Sequence, residues 1–354
     1  MRALVLTNGG VGNGMIIDPV LRAAGARPFE FYHTHNIWLA ARPGELPGLR
    51  GFVPSIWRRF QDRDDILAFL RETTIDTVLN ARKEDPARDG TYFQFKRELV
   101  RRGYSVFDLH DCRVPRDESI GHQIAAMFRL ALPDLPPVDW SPLRHGAGGP
   151  AITFCVGASM PKKCPDPTLV RAVTARVAGE LPFSTIRIAA GVLPFEGALL
   201  AQYEDDPGSS VSIVRLNGLG DALELVRQAR IVITSDSCMS HLASLFGCKT
   251  ITIFTCTNGS IWRNSTQDLT DIVQSRIPLR CRRMKVDGTC SSFYGECSCG
   301  PGEDLLPDDL FLKIARLLRS DPGAPARLGG GGSVQAPRGR LLGAAHRGIG
   351  EPAP

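Results

Sequence analysis

The sequence predicts an α/β protein made of two Rossmann-like domains that face each other across a cleft. Short apolar segments rich in β-branched residues alternate with amphipathic helical segments along the chain. The chain of 354 residues is longer than a single hydrophobic core usually accommodates. At about 150 residues per domain, this length predicts two domains. A proline-rich break separates two series of alternating elements.

The N-terminal series begins with a strand at 3–6, a glycine-rich turn at 9–14 and a helix at 15–24. An extended segment is then expected at 28–32. It is followed by a strand at 77–80, a helix at 94–102, a second strand at 105–109 and a last helix at 121–132. Prolines interrupt the chain at 133–142. We therefore predict a first domain at 1–140 and a linker at 141–150.

The second series is predicted at 151–320. Its strands are expected at 152–156, 186–189, 231–234 and 250–254, and its helices at 167–181, 222–230, 239–246 and 308–319. Beyond residue 320 the chain is rich in Gly, Pro, Ala and Arg and contains a GGGG run. Such a composition cannot bury a core, so 321–354 is predicted to be a disordered tail.

Composition narrows the class of ligand. The net charge is +5, without a dense block of Lys and Arg, which favours an anionic ligand over a nucleic-acid surface. Hydrophobic residues make up 43% and charged residues 22%, as in soluble globular proteins. No apolar stretch approaches the roughly 20 residues that span a membrane. The apolar residues 3–6 are followed at once by a glycine-rich turn, so they are not expected to belong to a signal peptide. A cytoplasmic location is expected.

Ten cysteines are present. Six lie within apparent α/β elements, where buried free thiols are the simpler interpretation. The other four, Cys281, Cys290, Cys297 and Cys299, crowd one segment with the spacing C-x8-C-x6-C-x-C. This spacing lacks the paired C-x2-C knuckles of well-defined zinc sites. A structural metal or a disulfide there remains an alternative to free thiols.

The segment 231–258 combines a strand, a polar turn, a short helix and a second strand. Asp236 and Ser237 are residue types that cap helix N-termini, and His241 follows about one turn later. A helix N-terminus offers unpaired N–H groups and partial positive charge, so the turn can bind a phosphate group. The alternative is an ordinary capped helix with His241 packed or solvated.

This segment reads D-S-x-x-x-H-L-A-S-x-x-G, followed by a strand and Thr257. It resembles the donor-binding signature of glycosyltransferase family 9, the ADP-heptose:lipopolysaccharide heptosyltransferases. The resemblance implies the GT-B architecture, an N-terminal acceptor domain and a C-terminal nucleotide-sugar donor domain with Asp236, Ser237, His241 and Thr257 at the donor. Cys238 stands where the family has glycine and Lys249 where it has proline, which affects loop shape more than charge.

The loop 157–165, GASMPKKCP, follows the first strand of the second domain. It resembles the family loop in which a lysine three residues before a proline reaches the donor pyrophosphate, and Lys162 has this position. An ammonium group can neutralise a departing diphosphate without a metal ion, and Ser159 can add a hydrogen bond. A solvated basic loop is the alternative for Lys162.

The turn 8–14 reads NGGVGNG and does not fit the G-x-G-x-x-G spacing of dinucleotide sites. In the resembling family this loop supplies a catalytic aspartate that deprotonates the acceptor hydroxyl, and the matching residue here is Asn13. An amide cannot act as a base at neutral pH. The alternatives are another base, with Asp18, His35 or Asp111 as candidates, a nitrogen acceptor that needs less help, or loss of transfer activity.

Three further residues are expected on the acceptor side. Gly12 lies in the altered glycine turn, and Arg82 and Lys83 follow the strand at 77–80. The two cations could bind an anionic acceptor or the donor diphosphate. A surface ion pair with Glu84 or Asp85 is the more ordinary interpretation.

These features predict an inverting, metal-independent glycosyltransferase that needs no cofactor. The donor is expected to be a nucleotide sugar, with ADP-heptose favoured, and the acceptor a glycan or small molecule. Two alternatives remain. The donor could be a GDP- or UDP-sugar, or the protein could bind a nucleotide or glycan without catalysis because it lacks the base at position 13.

Overall fold

The computed structural model describes the greater part of both predicted domains. The described residues are 3–6, 11–24, 31–33, 56–57, 63–81, 90–112, 114–115, 118–142, 149–181, 185–204, 211–276 and 302–320. His35, Arg82, Lys83 and the four clustered cysteines lie outside them, as does the predicted tail.

The N-terminal domain contains a parallel sheet of five strands in the order β3-β2-β1-β4-β5. Strand order reverses between β1 and β4, so the chain first builds one side of the sheet and then returns to build the other. The strands are β1 Ala3–Leu6, β2 Phe31–His33, β3 Ile56–Trp57, β4 Thr77–Asn80 and β5 Ser105–Asp108.

The C-terminal domain contains a parallel sheet of six strands in the order β11-β10-β9-β6-β7-β8. Its strand order reverses between β6 and β9. In open parallel sheets, ligands bind beyond the carboxyl ends of the strands at such a reversal. The strands are β6 Ala151–Cys155, β7 Thr185–Ala190, β8 Val211–Arg215, β9 Ala229–Ser235, β10 Lys249–Phe254 and β11 Ile272–Gln274.

Helices connect the strands and cover both faces of each sheet, because parallel neighbours require crossover connections. The helices are α1 Val11–Ala24, α2 Arg63–Glu72, α3 Gly90–Arg101, α4 Ile120–Ala131, α5 Pro167–Glu180, α6 Pro194–Glu204, α7 Leu219–Arg227, α8 Cys238–Leu245, α9 Gly259–Trp262 and α10 Pro307–Arg319. Short 3-10 helices lie at Leu109–Asp111, Pro161–Lys163 and Leu269–Asp271.

Successive side chains of a strand point to opposite faces of the sheet, so each sheet packs against a hydrophobic core on both faces. In β1, Ala3 and Val5 pack with α1 and α4, whereas Leu4 and Leu6 pack with α2 and α3 on the opposite face. All four are buried. Strands covered on both faces read as continuous apolar runs, and this is why the sequence revealed them clearly.

The predicted fold class is confirmed: the protein is α/β with two sets of parallel strands. Strand β4 has the expected bounds, and the other expected strands lie within two residues of their predicted ends except for β2, which is described only at Phe31–His33. The domain boundaries stay a prediction, since 143–148 of the proposed linker lie outside the described residues.

The start of α1 requires a correction. We expected a flexible turn up to residue 14, but the helix begins at Val11 and includes Gly12, Asn13 and Gly14. Glycine disfavours helix by about 1 kcal/mol relative to alanine. Here α1 packs directly against α8 of the other domain, and this tertiary contact outweighs the local preference.

Six elements were not predicted: β3, α2, α6, β8, α9 and β11. Most are short, or lie next to segments rich in polar residues, so periodicity gave a weak signal. Across the part of the chain that the structure describes, every helix is too short or too polar to cross a membrane.

Replacing Phe128 by alanine should destabilise the N-terminal domain. Its side chain is fully buried between α4 and the sheet, and truncating a buried phenylalanine costs about 3 to 5 kcal/mol. We expect urea unfolding to show a loss of this size. The control is Val100→Ala on α3, where the side chain is 54% exposed. An equal loss in both variants would contradict the assigned core.

Candidate functional site

The candidate site lies at the carboxyl edge of the C-terminal sheet, where its strand order reverses. The segments that follow β6, β9 and β10 meet there. They carry the lysine loop, the Asp236 turn and Thr257, which lie far apart in sequence. The fold therefore brings together the predicted donor residues of three separate motifs.

Asp236 is the centre of this site. Its carboxylate is nearly buried and accepts hydrogen bonds at Oδ2 from Lys163 Nζ at 2.6 Å and from Thr257 Oγ1 at 2.7 Å. Burial alone would raise the pKa of Asp236, but the Lys163 ammonium and the Thr257 hydroxyl together hold that pKa below its usual value. Asp236 is therefore an anion that fixes the position of a cation.

The lysine that the structure places on Asp236 is Lys163, the neighbour of Lys162, whose predicted contact with the donor stays a prediction. Both belong to the 3-10 helix that follows β6. The backbone carbonyl of Lys162 accepts a hydrogen bond from Thr255 Oγ1 at 2.6 Å, which ties this helix to the segment after β10. Ser159 is exposed on the same loop. Sequence spacing located the loop but did not predict the bond between Lys163 and Asp236, because that bond joins segments that follow two different strands.

The N-terminus of α8 is capped as predicted. Ser237 is the N-cap residue, and its hydroxyl accepts a hydrogen bond from the backbone N–H of Met239 at 3.3 Å. Two residues earlier, at the end of β9, Ser235 donates from Oγ to the carbonyl of Gly157 at 2.6 Å. This bond holds the turn after β9 against the loop after β6. The partial positive charge of the helix N-terminus consequently lies beside the Lys163 ammonium.

His241 is packed at the contact between the two domains. A Cβ placed on Gly12 of α1 would lie only 2.9 Å from Cδ2 of His241. Burial lowers the pKa of His241 to about 4, although the Asp236 anion acts in the opposite direction. At neutral pH its imidazole is uncharged. In this arrangement His241 and Gly12 contact each other, while their predicted donor and acceptor roles stay predictions.

Sequence reasoning missed Glu196, a buried carboxylate at the same edge. It lies in the first turn of α6, and its Oε2 accepts the backbone N–H of Leu193 at 3.1 Å. A Cβ on Gly157 would come within 2.1 Å of Oε1, and one on Gly191 within 2.6 Å of Oε2. The sequence did contain a signal for this packing: Gly157 and Gly191 follow two neighbouring strands, and Glu196 comes five residues after Gly191.

The acceptor side is described in part. The backbone of Asn13 lies in the first turn of α1. Asp18 is 2% exposed and binds Arg22 Nε through Oδ2 at 2.9 Å. Burial raises the pKa of Asp18 to about 6, against the effect of Arg22. Such burial gives an acceptor little access, so a catalytic role for Asp18 stays a prediction that the structure does not favour.

Asp111, the other candidate base among the described residues, lies in the 3-10 helix that follows β5 in the N-terminal domain. Its Oδ2 is 2.9 Å from Lys96 Nζ, which also binds Asp108 at 2.7 Å. This pairing occupies Asp111 with a cation. Within the described residues, no group of His, Cys, Asp and Glu side chains is arranged to hold a metal ion.

A second contact joins the domains beside α4. Ser119 Oγ donates to Ser265 Oγ at 3.3 Å, and Arg263 lies 3.5 Å from the Glu118 carboxylate. A small cavity of about 40 Å³ lies between α1, α8 and the segment at 263–266. Together with the Gly12 contact, these interactions connect the N-terminal and C-terminal domains at two places.

Comparison with known proteins agrees with this geometry. Residues 208–288, which include the Asp236 turn and Thr257, match the model of glycosyltransferase family 9 (heptosyltransferase). The match covers about a quarter of the chain, and within that segment the chain is similar to the family. No curated protein sequence is significantly similar to the chain. The matched segment includes Asp236 and Thr257 but not the loop that carries Lys163.

Solved structures extend the similarity to both domains. The E. coli heptosyltransferase WaaC is 13% identical and has a TM-score of 0.56, covering 90% of this chain and 100% of its own. E. coli heptosyltransferase II is 15% identical with a TM-score of 0.55, covering 90% and 98%. A family 9 glycosyltransferase from Veillonella parvula is 12% identical with a TM-score of 0.57, also covering 90% and 98%. At these identities the similarity establishes the GT-B fold.

The burial of His241 predicts a specific dependence of stability on pH. At pH values between 6.5, the ordinary pKa of histidine, and about 4, the pKa of His241 in the fold, His241 binds a proton in the unfolded chain but not in the folded chain. The free energy of unfolding should therefore fall as the pH falls, by about 2 kcal/mol between pH 7 and pH 5 from this residue. Urea unfolding of His241→Gln should lack this part of the decrease.

The exposed His110 provides the control. His110→Gln should retain the pH dependence of the unmodified protein. If His241→Gln also retained it in full, the imidazole could not be held neutral in the fold.

Proposed function

We propose that this protein transfers a sugar, with heptose favoured, from a nucleoside diphosphate donor to a glycan or small-molecule acceptor, with inversion and without a metal ion. The observation that carries the proposal is the Lys163 ammonium, fixed by Asp236 beside the N-terminus of α8. This combination provides positive charge on an edge where parallel α/β sheets bind ligands.

The leaving group explains why this charge is needed. When the bond between the anomeric carbon and the diphosphate oxygen breaks, negative charge develops on the diphosphate. The Lys163 ammonium donates to the carboxylate of Asp236 at 2.6 Å and to its backbone carbonyl at 3.4 Å, and a phosphate oxygen would take the place of the longer bond. Backbone N–H groups at the start of α8 can stabilise the same charge. These groups can supply the stabilisation that a metal ion provides in other enzymes.

The donor proposal also draws on the solved relatives. WaaC has been solved with ADP and with ADP-2-deoxy-2-fluoro heptose. We therefore favour ADP-heptose as the donor, and a GDP- or UDP-sugar is the alternative. Glu196, on the same edge, has a carboxylate that can accept hydrogen bonds from two adjacent hydroxyl groups, as a ribose presents them. Calorimetry with ADP, GDP and UDP would distinguish the donors, and failure of all three to bind would refute the site.

The acceptor must attack the anomeric carbon from the side opposite the diphosphate. If the nucleophile is a hydroxyl oxygen, its proton must be taken up as the new bond forms. Asn13 cannot accept that proton but can orient the acceptor through hydrogen bonds, with Gly12, Arg82 and Lys83 as further proposed acceptor contacts. His35 remains a candidate base, and a nitrogen acceptor would reduce the need for one.

A non-catalytic role is a second candidate because of Asn13 itself. A protein that binds a nucleotide or glycan without transfer would keep the Lys163 and Asp236 arrangement and lose the base. The two functions differ in one measurement. Incubation of ADP-heptose with candidate acceptors should release ADP if the protein is a transferase, whereas binding of ADP without release for every acceptor would favour the binding protein.

Removing the Lys163 charge should weaken nucleotide binding. A charge-assisted hydrogen bond contributes about 1.5 to 3 kcal/mol, so we expect Lys163→Met to raise the Kd for ADP by about 10- to 100-fold. Because this variant leaves Asp236 unpaired, it should be compared with Lys163→Met/Asp236→Asn, which removes both charges.

Two further lysine variants complete the test. Lys162→Met shows whether the neighbouring lysine also binds the donor, as the family resemblance implied. Lys313→Met on α10 removes a cation elsewhere and should leave the Kd unchanged. Equal affinity of all variants for ADP would contradict the proposed diphosphate site.

Restoring an acid at position 13 tests the acceptor side. Asn13→Asp should leave the Kd for ADP within about twofold, since the donor residues lie on the other domain. It should raise the rate of ADP release with a hydroxyl acceptor, because a carboxylate supplies a general base worth about 10²-fold or more. Slower release would mean that the site works with a neutral amide and would contradict this expectation.

A further inference from the structure

The segment 255–258 joins β10 to α9 and carries Thr257, the hydroxyl partner of Asp236. Thr257 is 1% exposed, and its Oγ1 donates to Asp236 Oδ2 at 2.7 Å. A hydroxyl can serve a carboxylate in this way only if the backbone that carries it is held in place. A side chain of the neighbouring strand β11 supplies this support.

Gln274, the last residue of β11, binds the segment through its side-chain amide. Its Nε2 donates to the backbone carbonyls of Thr257 at 3.1 Å and of Phe254, just before the segment, at 3.3 Å. The same nitrogen donates to the carbonyl of Ser275 at 2.8 Å. Its Oε1 accepts the backbone N–H of Gly259, just after the segment, at 2.6 Å. One amide therefore contacts the backbone on both sides of the segment and at Thr257 itself.

An amide meets both requirements of this position, which are a donor and an acceptor. A glutamate carboxylate would face the carbonyl oxygens without a proton to donate, and an apolar side chain would remove all of these bonds. The fit is also tight. A Cβ on Gly259 would lie 3.0 Å from Gln274 Oε1 and 2.6 Å from Cδ2 of Phe254. Because Gly259 has no Cβ, the segment can approach Gln274 closely.

We propose that Gln274 is a positioning residue of the candidate site, which aims the Thr257 hydroxyl at Asp236 by fixing the carbonyl of Thr257. The bond from Thr257 helps to keep the Asp236 carboxylate ionised, and this anion in turn fixes the Lys163 ammonium. Gln274 thus acts on a bound diphosphate through these side chains and not by contact. Its effect on nucleotide binding rests on the proposed function, whereas its effect on Asp236 does not.

The charge of Asp236 responds to several neighbouring groups. Burial raises the pKa of Asp236, whereas the Lys163 ammonium and the Thr257 hydroxyl lower it. His241 on α8 acts in the same direction as Lys163 and becomes charged only near pH 4. The Cys256 thiol also lies near Asp236, and burial raises its pKa to about 11, so it stays uncharged. Without the Thr257 bond, the effect of burial is opposed less, and Asp236 should take up its proton at a higher pH.

Replacing Gln274 by methionine removes the amide and keeps the length of the side chain. In Gln274→Met, carbon-13 NMR of the aspartate carboxyl groups should show Asp236 titrating at a higher pH than in the unmodified protein. The spectrum of Asp236→Asn identifies the resonance. Thr257→Val removes the hydroxyl itself and should shift the titration in the same direction. The double variant Gln274→Met/Thr257→Val should shift it no further than Thr257→Val, because both changes act through one hydrogen bond.

Gln274→Met should also bind ADP more weakly, with a Kd raised about 2- to 10-fold in calorimetry, as expected for the loss of one hydrogen bond. The matched control is Gln267→Met. Gln267 likewise donates from Nε2 to backbone carbonyls, those of Thr250 at 3.1 Å and Asp271 at 3.0 Å. Its replacement should leave both the titration of Asp236 and the Kd for ADP unchanged, because these bonds do not involve Thr257.

An unchanged titration of Asp236 in Gln274→Met would overturn the positioning role, as would an equal shift in Gln267→Met or additive shifts in the double variant. If the methionine variant does not fold, Gln274→Asn, which carries the amide on a shorter side chain, serves for the same comparison. A protein that binds no ADP but shows the shift in titration would refute the proposed function and leave the role of Gln274 intact.

Discussion

The ion pair between Lys163 and Asp236 is the interaction on which the candidate site of the C-terminal domain depends. An unpaired buried charge is strongly destabilising. The Asp236 side chain is only 8% exposed, and its charge is tolerated because the Lys163 ammonium and the Thr257 hydroxyl bind it. The pair also joins two segments that follow different strands. It therefore positions the lysine loop over the N-terminus of α8 before any ligand arrives, which reduces the cost of organising the site when a diphosphate binds.

The contact between α1 and α8 relates the two domains to this site. The close approach of Gly12 to His241 places the start of α1 next to the first turn of α8. Asn13 follows Gly12 directly, so the position that is proposed to contact the acceptor lies in the first turn of a helix that is packed on the C-terminal domain. A larger residue than glycine would separate these helices, and a charged imidazole would be costly at the same contact. An uncharged His241 is therefore compatible with close packing of α1 on α8 next to the Asp236 turn.

The sequence predicted the strands better than the site. Buried parallel strands such as 3–6 and 152–156 are recognisable because nearly all their residues are apolar on both faces. The Asp236 turn was recognisable for a similar local reason, since caps depend on residues close in sequence. The start of α1 was predicted wrongly because glycines disfavour helix locally, whereas their small size is what permits the contact with α8. Glu196 escaped notice because its neighbours, Gly157 and Gly191, come from two different strands.

The sequence by itself determined the alternation of strands and helices, the division into two parallel sheets and the loops that carry the predicted donor residues. These features follow from residue types and short spacings, which act over a few residues of chain. The tertiary structure alone decided that Lys163 binds Asp236, that His241 is buried against Gly12, and that Glu196 lies against Gly157 and Gly191. Each of these depends on which strands lie next to each other, and strand order is set by packing of the whole sheet and not by any one segment.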